Sequence, residues 1–168
     1  MKDVFLLLGS NMGDRKPLIE RSLKKITMLP AEITAISSLY ESEPWGFDSE
    51  NWFLNMAVWI KTEIEPHLLM KKLLEIEACL GRERKADKAE LERIDPVGEK
   101  KITYCSRTID IDILFYSDYI INSDDLQIPH PRLHLRNFAL LPLAEIAGEF
   151  IHPVLRVTIH HLVGRTQD

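Results

Sequence analysis

Two aspartates in this chain, Asp110 and Asp112, are spaced two residues apart, which suits the binding of a cation. They alternate with Ile109, Ile111 and Ile113, and this alternation predicts a strand with one apolar face and one acidic face. The two carboxylates would lie roughly 7 Å apart, where their repulsion is about 2 kcal/mol at an effective dielectric constant of about 20. Mg²⁺ suits such a pair, because it takes carboxylate oxygens and keeps positions for water and phosphate oxygens. The alternative is a surface strand whose polar face is merely solvated.

A charged segment, residues 82–106, precedes this strand and lacks the apolar periodicity of a helix or a strand. Segments of this length without secondary structure are often lids or binding loops, so we expect a mobile lid over 82–106. Arg82 and Arg84 stand at its start, and Arg107 directly follows its end. Closure of the lid would bring these cations towards the two aspartates, and arginine forks match phosphate oxygens. The combination is typical of phosphoryl-transfer sites.

Other residues are candidates for binding a ligand. Phe53 and Asn55 share one face of a predicted strand over residues 52–62. An aromatic ring beside an amide suits a flat heterocycle with hydrogen-bonding edges, and the alternative is that both side chains pack under a helix or a loop. His130 lies between two prolines, which restrict its backbone and would present a fixed donor. The alternative there is a rigid surface turn.

Apolar periodicity and turn residues predict the helices and strands that carry these residues. The order is strand, helix, strand, strand, helix, lid and strand, followed by a small hairpin and short helices. It predicts an α+β fold with a ferredoxin-like, split β-α-β core sheet, helices packed on it, the long charged lid loop and a short C-terminal hairpin and helix extension. We expect the helices on one face of the sheet and the site on the other. The predicted strands cover 3–8, 33–40, 52–62 and 107–116, and the predicted long helices cover 14–30 and 66–81.

Composition is that of an ordinary globular protein and limits the classes of partner. The 168 residues, 45% hydrophobic and 28% charged, suit a single domain over 1–168. No run of eighteen apolar residues occurs and the start is too short for a signal peptide, so we expect no membrane partner. The two cysteines form no C-x-x-C motif, which favours a reducing cytoplasm. With a formal net charge of -5 we expect no nucleic acid partner, and we expect a monomer.

The chain also contains an ordered set of short motifs that are more specific together than any one of them is alone. They are L-G-S-N-M-G-D-R at 8–15, E-P-W-G at 43–46, F-L-N-M-A-V at 53–58, I-E-A-C-L-G-R-E-R at 76–84, R-T-I-D-I-D-I-L at 107–114, I-P-H-P-R at 128–132 and R-N-F-A-L-L-P-L at 136–143. Over nearly the whole chain, the set resembles the 6-hydroxymethyl-7,8-dihydropterin pyrophosphokinase family, which is known for a ferredoxin-like core.

The resemblance implies transfer of diphosphate from ATP to the hydroxymethyl oxygen of the reduced pterin, releasing AMP, as a step in folate biosynthesis. Asp110 and Asp112 match the ligands of two Mg²⁺ ions bound with ATP. The catalytic positions are Arg82, Arg107 and Asp110. The pterin-binding positions are Ser42, Pro44, Trp45, Phe53, Asn55 and Phe138. The ATP-binding positions are Glu77, Arg84, Tyr104, Arg107, His130 and Arg136.

The chain departs from the family pattern near the lid. The residues at 103–107 replace a Trp-Gly-Pro-Arg-like approach to the acidic strand, so the aromatic role falls to Tyr104, and Leu74 stands where a polar residue is sometimes found. Without the resemblance, Glu77 reads as a solvated surface carboxylate. Two other functions are open from the residues alone: a metal-dependent phosphodiesterase or nuclease built on the two aspartates, and a module that stacks single-stranded RNA on its sheet.

Overall fold

A central antiparallel sheet organises the fold in the computed structural model, which describes residues 1–46, 49–82 and 106–166. The strands are β1 (Lys2–Ser10), β2 (Ala31–Ile36), β3 (Tyr40–Ser42), β4 (Phe53–Thr62) and β5 (Asp110–Tyr116), and a separate hairpin contains β6 (Ile121–Asn122) and β7 (Gln127–Ile128). The helices are α1 (Arg15–Ile26), α2 (Pro66–Cys79), a 3₁₀ turn (Leu133–Leu135), α3 (Asn137–Ala147) and α4 (Ile159–Val163). The sheet order is β2-β4-β1-β5, with β3 also paired to β4. The predicted α+β class is confirmed.

The central strand β1 is apolar along most of its length and is buried on both faces of the sheet. Val4, Leu6 and Leu8 pack on one face in a core that includes residues of α1 and α2. Phe5 and Leu7 pack on the other face in a second core that includes residues of α3 and α4. The expectation of helices on one face only is therefore wrong, since the second face is also apolar and must be covered. The predicted site lies on this second face, beside the start of α3.

The strand β5 has the alternation that its sequence predicts. Ile109, Ile111 and Ile113 are at most 2% exposed and belong to the core shared with α1 and α2. Asp110 and Asp112 line a cavity on the opposite face. The alternation stops at Leu114, where the register with β1 shifts by one residue, so that Leu114 and Phe115 both join the second core.

The predicted second strand over 33–40 is two strands in the structure. The strand β2 ends at Ile36 and β3 begins at Tyr40. Between them, Ser37 is buried, and its hydroxyl oxygen accepts the N–H of Ala57 at 2.9 Å. A side chain therefore replaces a backbone carbonyl in the ladder, which interrupts the strand.

Part of the predicted lid cannot be compared with the structure. Residues 83–105, which include the predicted ATP-binding residues Arg84 and Tyr104, lie outside the described residues. The lid over 82–106 therefore stays a prediction. None of the described helices has the length and the apolar character needed to cross a membrane.

A buried histidine near the C-terminal end gives a prediction about stability. His152 is 5% exposed, and its Nδ1 accepts the N–H groups of Val154 and Leu155, each at 3.2 Å. Burial lowers the pKa of His152, and the nearby charge of His134 lowers it further. The unfolded chain therefore binds a proton more readily, so this contribution to stability is full above the unfolded pKa of about 6.5 and is lost as the pH falls through the folded pKa.

We expect His152→Asn to flatten the fall in unfolding free energy below about pH 6.5, because the asparagine oxygen can accept both N–H groups but cannot titrate. Urea unfolding of both proteins from pH 7.5 to 5 measures the difference. Burial also lowers the pKa of His130, so the unfolding free energy of both proteins falls with falling pH for this second reason. Only the difference between the two curves therefore reports on His152. Parallel curves would contradict the assignment.

Candidate functional site

A cavity of about 430 Å³ collects most of the residues that the sequence singles out. It opens where the ends of β1, β4 and β5 meet the start of α3. The predicted residues that line it are Ser42, Trp45, Phe53, Asn55, Arg82, Arg107, Asp110, Asp112, His130, Arg136 and Phe138. Pro44 stands between two lining residues, Glu43 and Trp45. Glu77 does not line the described part of the cavity but accepts a hydrogen bond from the backbone of β5.

Strand register brings the predicted ring-binding residues next to the two aspartates. Gly9 of β1 pairs with Asn55 on one side and with Asp110 on the other. Paired residues in an antiparallel sheet face the same side, so these three residues form one row. Leu7, two residues before Gly9 on β1, pairs with Asp112, so Asp112 lies on the same face. Because neighbouring strands are about 4.8 Å apart, the amide and the nearer carboxylate are separated by roughly 10 Å across a residue without a side chain.

One end of the cavity is aromatic and contains a fixed amide. Asn55 is 1% exposed, and its Nδ2 donates to the hydroxyl oxygen of Ser42 at 2.9 Å. The guanidinium of Arg136 lies 4.7 Å from the centre of the Trp45 ring and 5.6 Å from that of Phe138. These stacked groups and the ring of Phe53 suit a flat ligand whose edge forms hydrogen bonds.

The other end of the cavity contains an ion-pair network around Asp110. Arg107 Nη1 lies 2.6 Å from Asp110 Oδ2, and Arg82 pairs with the second oxygen. Arg82 is 7% exposed and also lies 3.2 Å from a carboxylate oxygen of Glu77. The two arginines at the ends of the predicted lid therefore reach the acidic strand in this structure, as the sequence predicts. They neutralise Asp110 and are close enough to contact an anionic ligand bound there.

Asp112 has a different environment from Asp110. Burial raises the pKa of Asp112, and the charge of Asp110 raises it further, while His130, Arg136 and Arg107 oppose the change. The Nε2 atom of His130 lies 4.0 Å from Asp112 Oδ2. Burial in turn lowers the pKa of His130 and of Arg136. An ionised Asp112 is thus costly in this cavity, and a nearby cation would stabilise it.

The donor set fits a hard divalent cation. The described residues contain no group of three or more histidine, cysteine, aspartate or glutamate side chains suited to a metal. Among the carboxylates that line the described part of the cavity, those of Asp110 and Asp112 lie two residues apart on one strand, so this pair is the candidate set of protein ligands. Mg²⁺ suits such a site, because it is commonly bound by one or two carboxylates and completes its shell with water and substrate phosphates.

Glu77 is buried, which the residue pattern alone did not indicate. It is 1% exposed near the end of α2, and its Oε1 accepts the N–H of Ile111 at 2.8 Å. The strand β5 is at the edge of the sheet, so its outward N–H groups need acceptors from elsewhere. The reading of Glu77 as a solvated carboxylate is wrong, because the edge position of β5 is a property of the tertiary structure.

Asn11 supports the site and was not singled out in the sequence. Its Oδ1 accepts the N–H of Arg107 at 2.7 Å, and its Nδ2 donates to the Ser106 hydroxyl oxygen at 3.0 Å and to the Asn51 carbonyl at 3.3 Å. The side chain is 2% exposed, so these bonds are shielded from water. Asparagine in a turn directly after a buried strand was the available signal, but it is also common in plain turns.

Comparisons with known proteins give matches over most of the chain. The family model of 7,8-dihydro-6-hydroxymethylpterin-pyrophosphokinase (HPPK) matches residues 5–148. The chain is 37% identical over 156 residues to the 2-amino-4-hydroxy-6-hydroxymethyldihydropteridine pyrophosphokinase of Aquifex aeolicus. The matched residues cover 93% of this chain and 87% of that protein. The chain is 38% identical over 159 residues to the folic acid synthesis protein FOL1 of Dictyostelium discoideum, covering 95% of this chain but only 22% of that protein.

A solved structure gives the same fold. A crystal structure of wild-type Plasmodium falciparum HPPK-DHPS with STZ-DHP matches with a TM-score of 0.71 and 18% sequence identity. The match covers 98% of this chain and 43% of that chain. The chain therefore spans less than half of this structural neighbour, and the likeness concerns the fold.

Proposed function

The chain belongs to the 7,8-dihydro-6-hydroxymethylpterin-pyrophosphokinase family, and on that premise we propose that its cavity binds ATP and the reduced pterin side by side. The reaction is transfer of diphosphate from ATP to the hydroxymethyl group of 6-hydroxymethyl-7,8-dihydropterin, giving AMP and the pterin diphosphate in folate biosynthesis. The observation that carries the proposal is the row formed by Asn55, Gly9 and Asp110. It joins a ring-binding end to an anionic, arginine-rich end within one cavity.

The aromatic end is the proposed pterin site. The buried amide of Asn55 and the Ser42 hydroxyl would meet the hydrogen-bonding edge of the ring, while Phe53 and Phe138 would contact its faces. We include the backbone around Pro44 and the Trp45 ring in this site, because Arg136 holds that ring at the cavity wall. A ring held here would direct its hydroxymethyl group across Gly9 towards the aspartates.

The charged end is the proposed ATP site. Arg82, Arg107 and His130 line the cavity near the two aspartates, and Arg136 at the boundary with the aromatic end also acts on Asp112, so these cationic or donating groups would bind the triphosphate. Glu77 would act on this site by fixing the edge of β5, which carries both aspartates. Arg84 and Tyr104 are outside the described residues, and their roles in ATP binding stay predictions from the sequence.

Asp110 and Asp112 are the proposed ligands of two Mg²⁺ ions that accompany ATP. Bound there, the ions would neutralise phosphate charge and hold the triphosphate for displacement at the β-phosphorus. The hydroxymethyl oxygen would form a bond to the β-phosphorus, while the bond from that phosphorus to the oxygen joining it to the α-phosphate breaks and AMP leaves with that oxygen. Asp110, which is nearer to the ring end, would accept the hydroxymethyl proton. Arg82 and Arg107 would stabilise the charge that develops on the transferred group.

Finer features of the molecule are also proposals. A ferredoxin-like, split β-α-β core is supported by the order β2-β4-β1-β5 and by the helices between β1 and β2 and between β4 and β5. A single domain over 1–168, a monomeric state and a cytoplasmic location stay predictions from the sequence.

The direct test is to identify the nucleotide product. With protein, ATP, Mg²⁺ and 6-hydroxymethyl-7,8-dihydropterin, we expect AMP, and we expect no turnover when the pterin is omitted or when EDTA removes the metal. Chromatography of the nucleotides after a fixed time gives the answer. ADP as product, or AMP formed without pterin, would instead favour the metal-dependent phosphodiesterase; retention of single-stranded RNA at physiological salt would favour the binding module.

Gly9→Ala is expected to impair pterin binding selectively. An alanine Cβ at this position would lie 3.2 Å from Asn55 Oδ1 and 3.8 Å from Phe53 Cδ1, so the Asn55 amide must shift. We expect the KM for pterin to rise about tenfold, which corresponds to about 1.4 kcal/mol and lies within the 1–3 kcal/mol typical of overpacking, with the KM for ATP unchanged. Gly164→Ala is the control, because its nearest neighbour would be a backbone oxygen at 3.8 Å, away from the cavity. Equal changes in both KM values would place Gly9 outside the pterin site.

A further inference from the structure

We propose that Glu145 is a positioning residue for the pterin site, because it fixes the wall formed by α3 against the wall formed by β3. The inference rests on the proposed function and deepens it. Glu145 is exposed on α3 and does not line the described part of the cavity, so it is not a candidate for contact with substrate. Its contacts nevertheless join the two elements that carry opposite sides of the ring-binding end.

The Glu145 carboxylate makes a dense set of hydrogen bonds to the chain around β3. The N–H of Ser38 donates to both carboxylate oxygens, at 3.0 and 3.1 Å, and the Ser38 hydroxyl donates to Oε1 at 3.0 Å. The Tyr40 hydroxyl donates to Oε2 at 2.9 Å. Burial alone would raise the pKa of Glu145, but these hydrogen bonds outweigh it and lower the pKa. The carboxylate is therefore charged and engaged at neutral pH.

The strand β3 is short, and apart from its bonds to β4 and Glu145 it is held by an exposed ion pair between Glu41 and Arg15, at 2.8 Å. It contains three residues, and in the described part of the sheet it pairs with β4 alone. Within that pairing, Tyr40 stands opposite Asn55 and Ser42 stands opposite Phe53. The Ser42 hydroxyl oxygen accepts a hydrogen bond from the Asn55 amide, so a shift of β3 would move the acceptor that orients this amide. Short edge strands are weakly held by their backbone bonds, which makes the contact with Glu145 important.

The helix α3 carries the opposite wall of the ring-binding end. Phe138 precedes Glu145 by seven residues, about two helical turns, so both side chains lie on one side of α3. Arg136, at the start of α3, lies over the Trp45 ring, which follows β3 in the chain. Glu145 at one end of α3 and Arg136 at the other thus connect the helix to the same segment. The distance between the two walls determines how closely a flat ring is held.

The test compares dissociation constants for the pterin and for a non-hydrolysable ATP analogue. For Glu145→Ala we expect the pterin dissociation constant to rise about tenfold and that of the ATP analogue to stay within about twofold, with kcat at saturating substrate unchanged. For Glu145→Gln, which keeps one acceptor oxygen, we expect partial rescue, to a rise of about threefold. Tyr40→Phe removes one donor without changing the helix, and we expect a rise similar to that of the glutamine variant.

Glu149→Ala is the matched control, because Glu149 is also exposed near the end of α3 but pairs with His160 rather than with β3. We expect it to leave both dissociation constants unchanged. Hydrogen exchange should be faster at the amides of Ser38 to Ser42 in Glu145→Ala and unchanged in the control. An unchanged pterin constant, or equal losses for both ligands that follow the fall in Tm, would overturn the inference. Failure of the wild-type protein to bind pterin would instead overturn the proposed function, and the exchange data would still show whether Glu145 holds β3.

Discussion

Asp112→Asn is expected to reduce diphosphate transfer by roughly 10³-fold or more, because it removes one of the two charges proposed to hold Mg²⁺. The fold should be at least as stable as that of the wild-type protein. Burial and the neighbouring Asp110 raise the pKa of Asp112, which means that the ionised carboxylate is less favourable in the folded chain than in the unfolded chain. Asparagine has nearly the same shape and removes that unfavourable charge. The measurements are the AMP assay and urea unfolding at pH 7.

Asp110→Asn is the informative partner of this variant. It should also lose turnover, but the unfolding free energy should fall by about 2–4 kcal/mol, because two largely buried arginines lose a charged partner. Arg82 is 7% exposed and Arg107 is 16% exposed, and both pair with Asp110. From the sequence alone we would expect either variant to keep its stability, since each relieves the same repulsion. Retention of more than a few per cent of activity in Asp112→Asn would contradict the proposed role of Asp112 as a metal ligand. Equal unfolding free energies of the two variants would contradict the ion-pair network around Asp110.

Arg107→Ala is expected to lower kcat by roughly 10²- to 10³-fold, the loss typical of removing one group that stabilises transition-state charge. The pterin dissociation constant should rise only slightly, although the Arg107 guanidinium lies 5.8 Å from the centre of the Phe53 ring. Lysine at this position should recover little of the rate, because it lacks the planar fork that matches phosphate oxygens. Single-turnover rates and pterin titrations separate the two effects.

Arg21→Ala serves as the control for loss of a cation, because Arg21 lies on α1 and donates to the Pro17 carbonyl, away from the cavity. It should keep the wild-type rate. If Arg107→Ala weakens pterin binding while kcat stays constant, then Arg107 is a wall of the ring site and its proposed role at the phosphates is wrong.

Local sequence patterns predicted the parts of the site that depend on neighbouring residues. The alternation around Asp110 and Asp112 required a strand with both carboxylates on one face, and burial of the intervening isoleucines bears this out. Phe53 and Asn55 are two residues apart on β4, so the same rule placed both on the face opposite the core shared with α1 and α2. Side-chain direction in a strand follows from a period of two, which is a local property of the backbone.

Motif order supplied what periodicity did not. Arg136 and Phe138 lie after the acidic strand in the chain, and their assignment to the site came from the family resemblance. The structure brings both to the cavity, on the helix that covers the second face of the sheet. The same resemblance singled out Glu77, whose residue type and helical position alone favoured the surface.

Local patterns and motif order therefore predict the family, the acidic strand and most of the residues at the cavity. They do not predict that Gly9 separates Asn55 from Asp110, that Glu77 supports the edge of β5, or that a carboxylate on α3 holds β3. These contacts join residues far apart in the chain. Their register depends on how whole strands and helices pair and pack, and no short stretch of sequence contains that information.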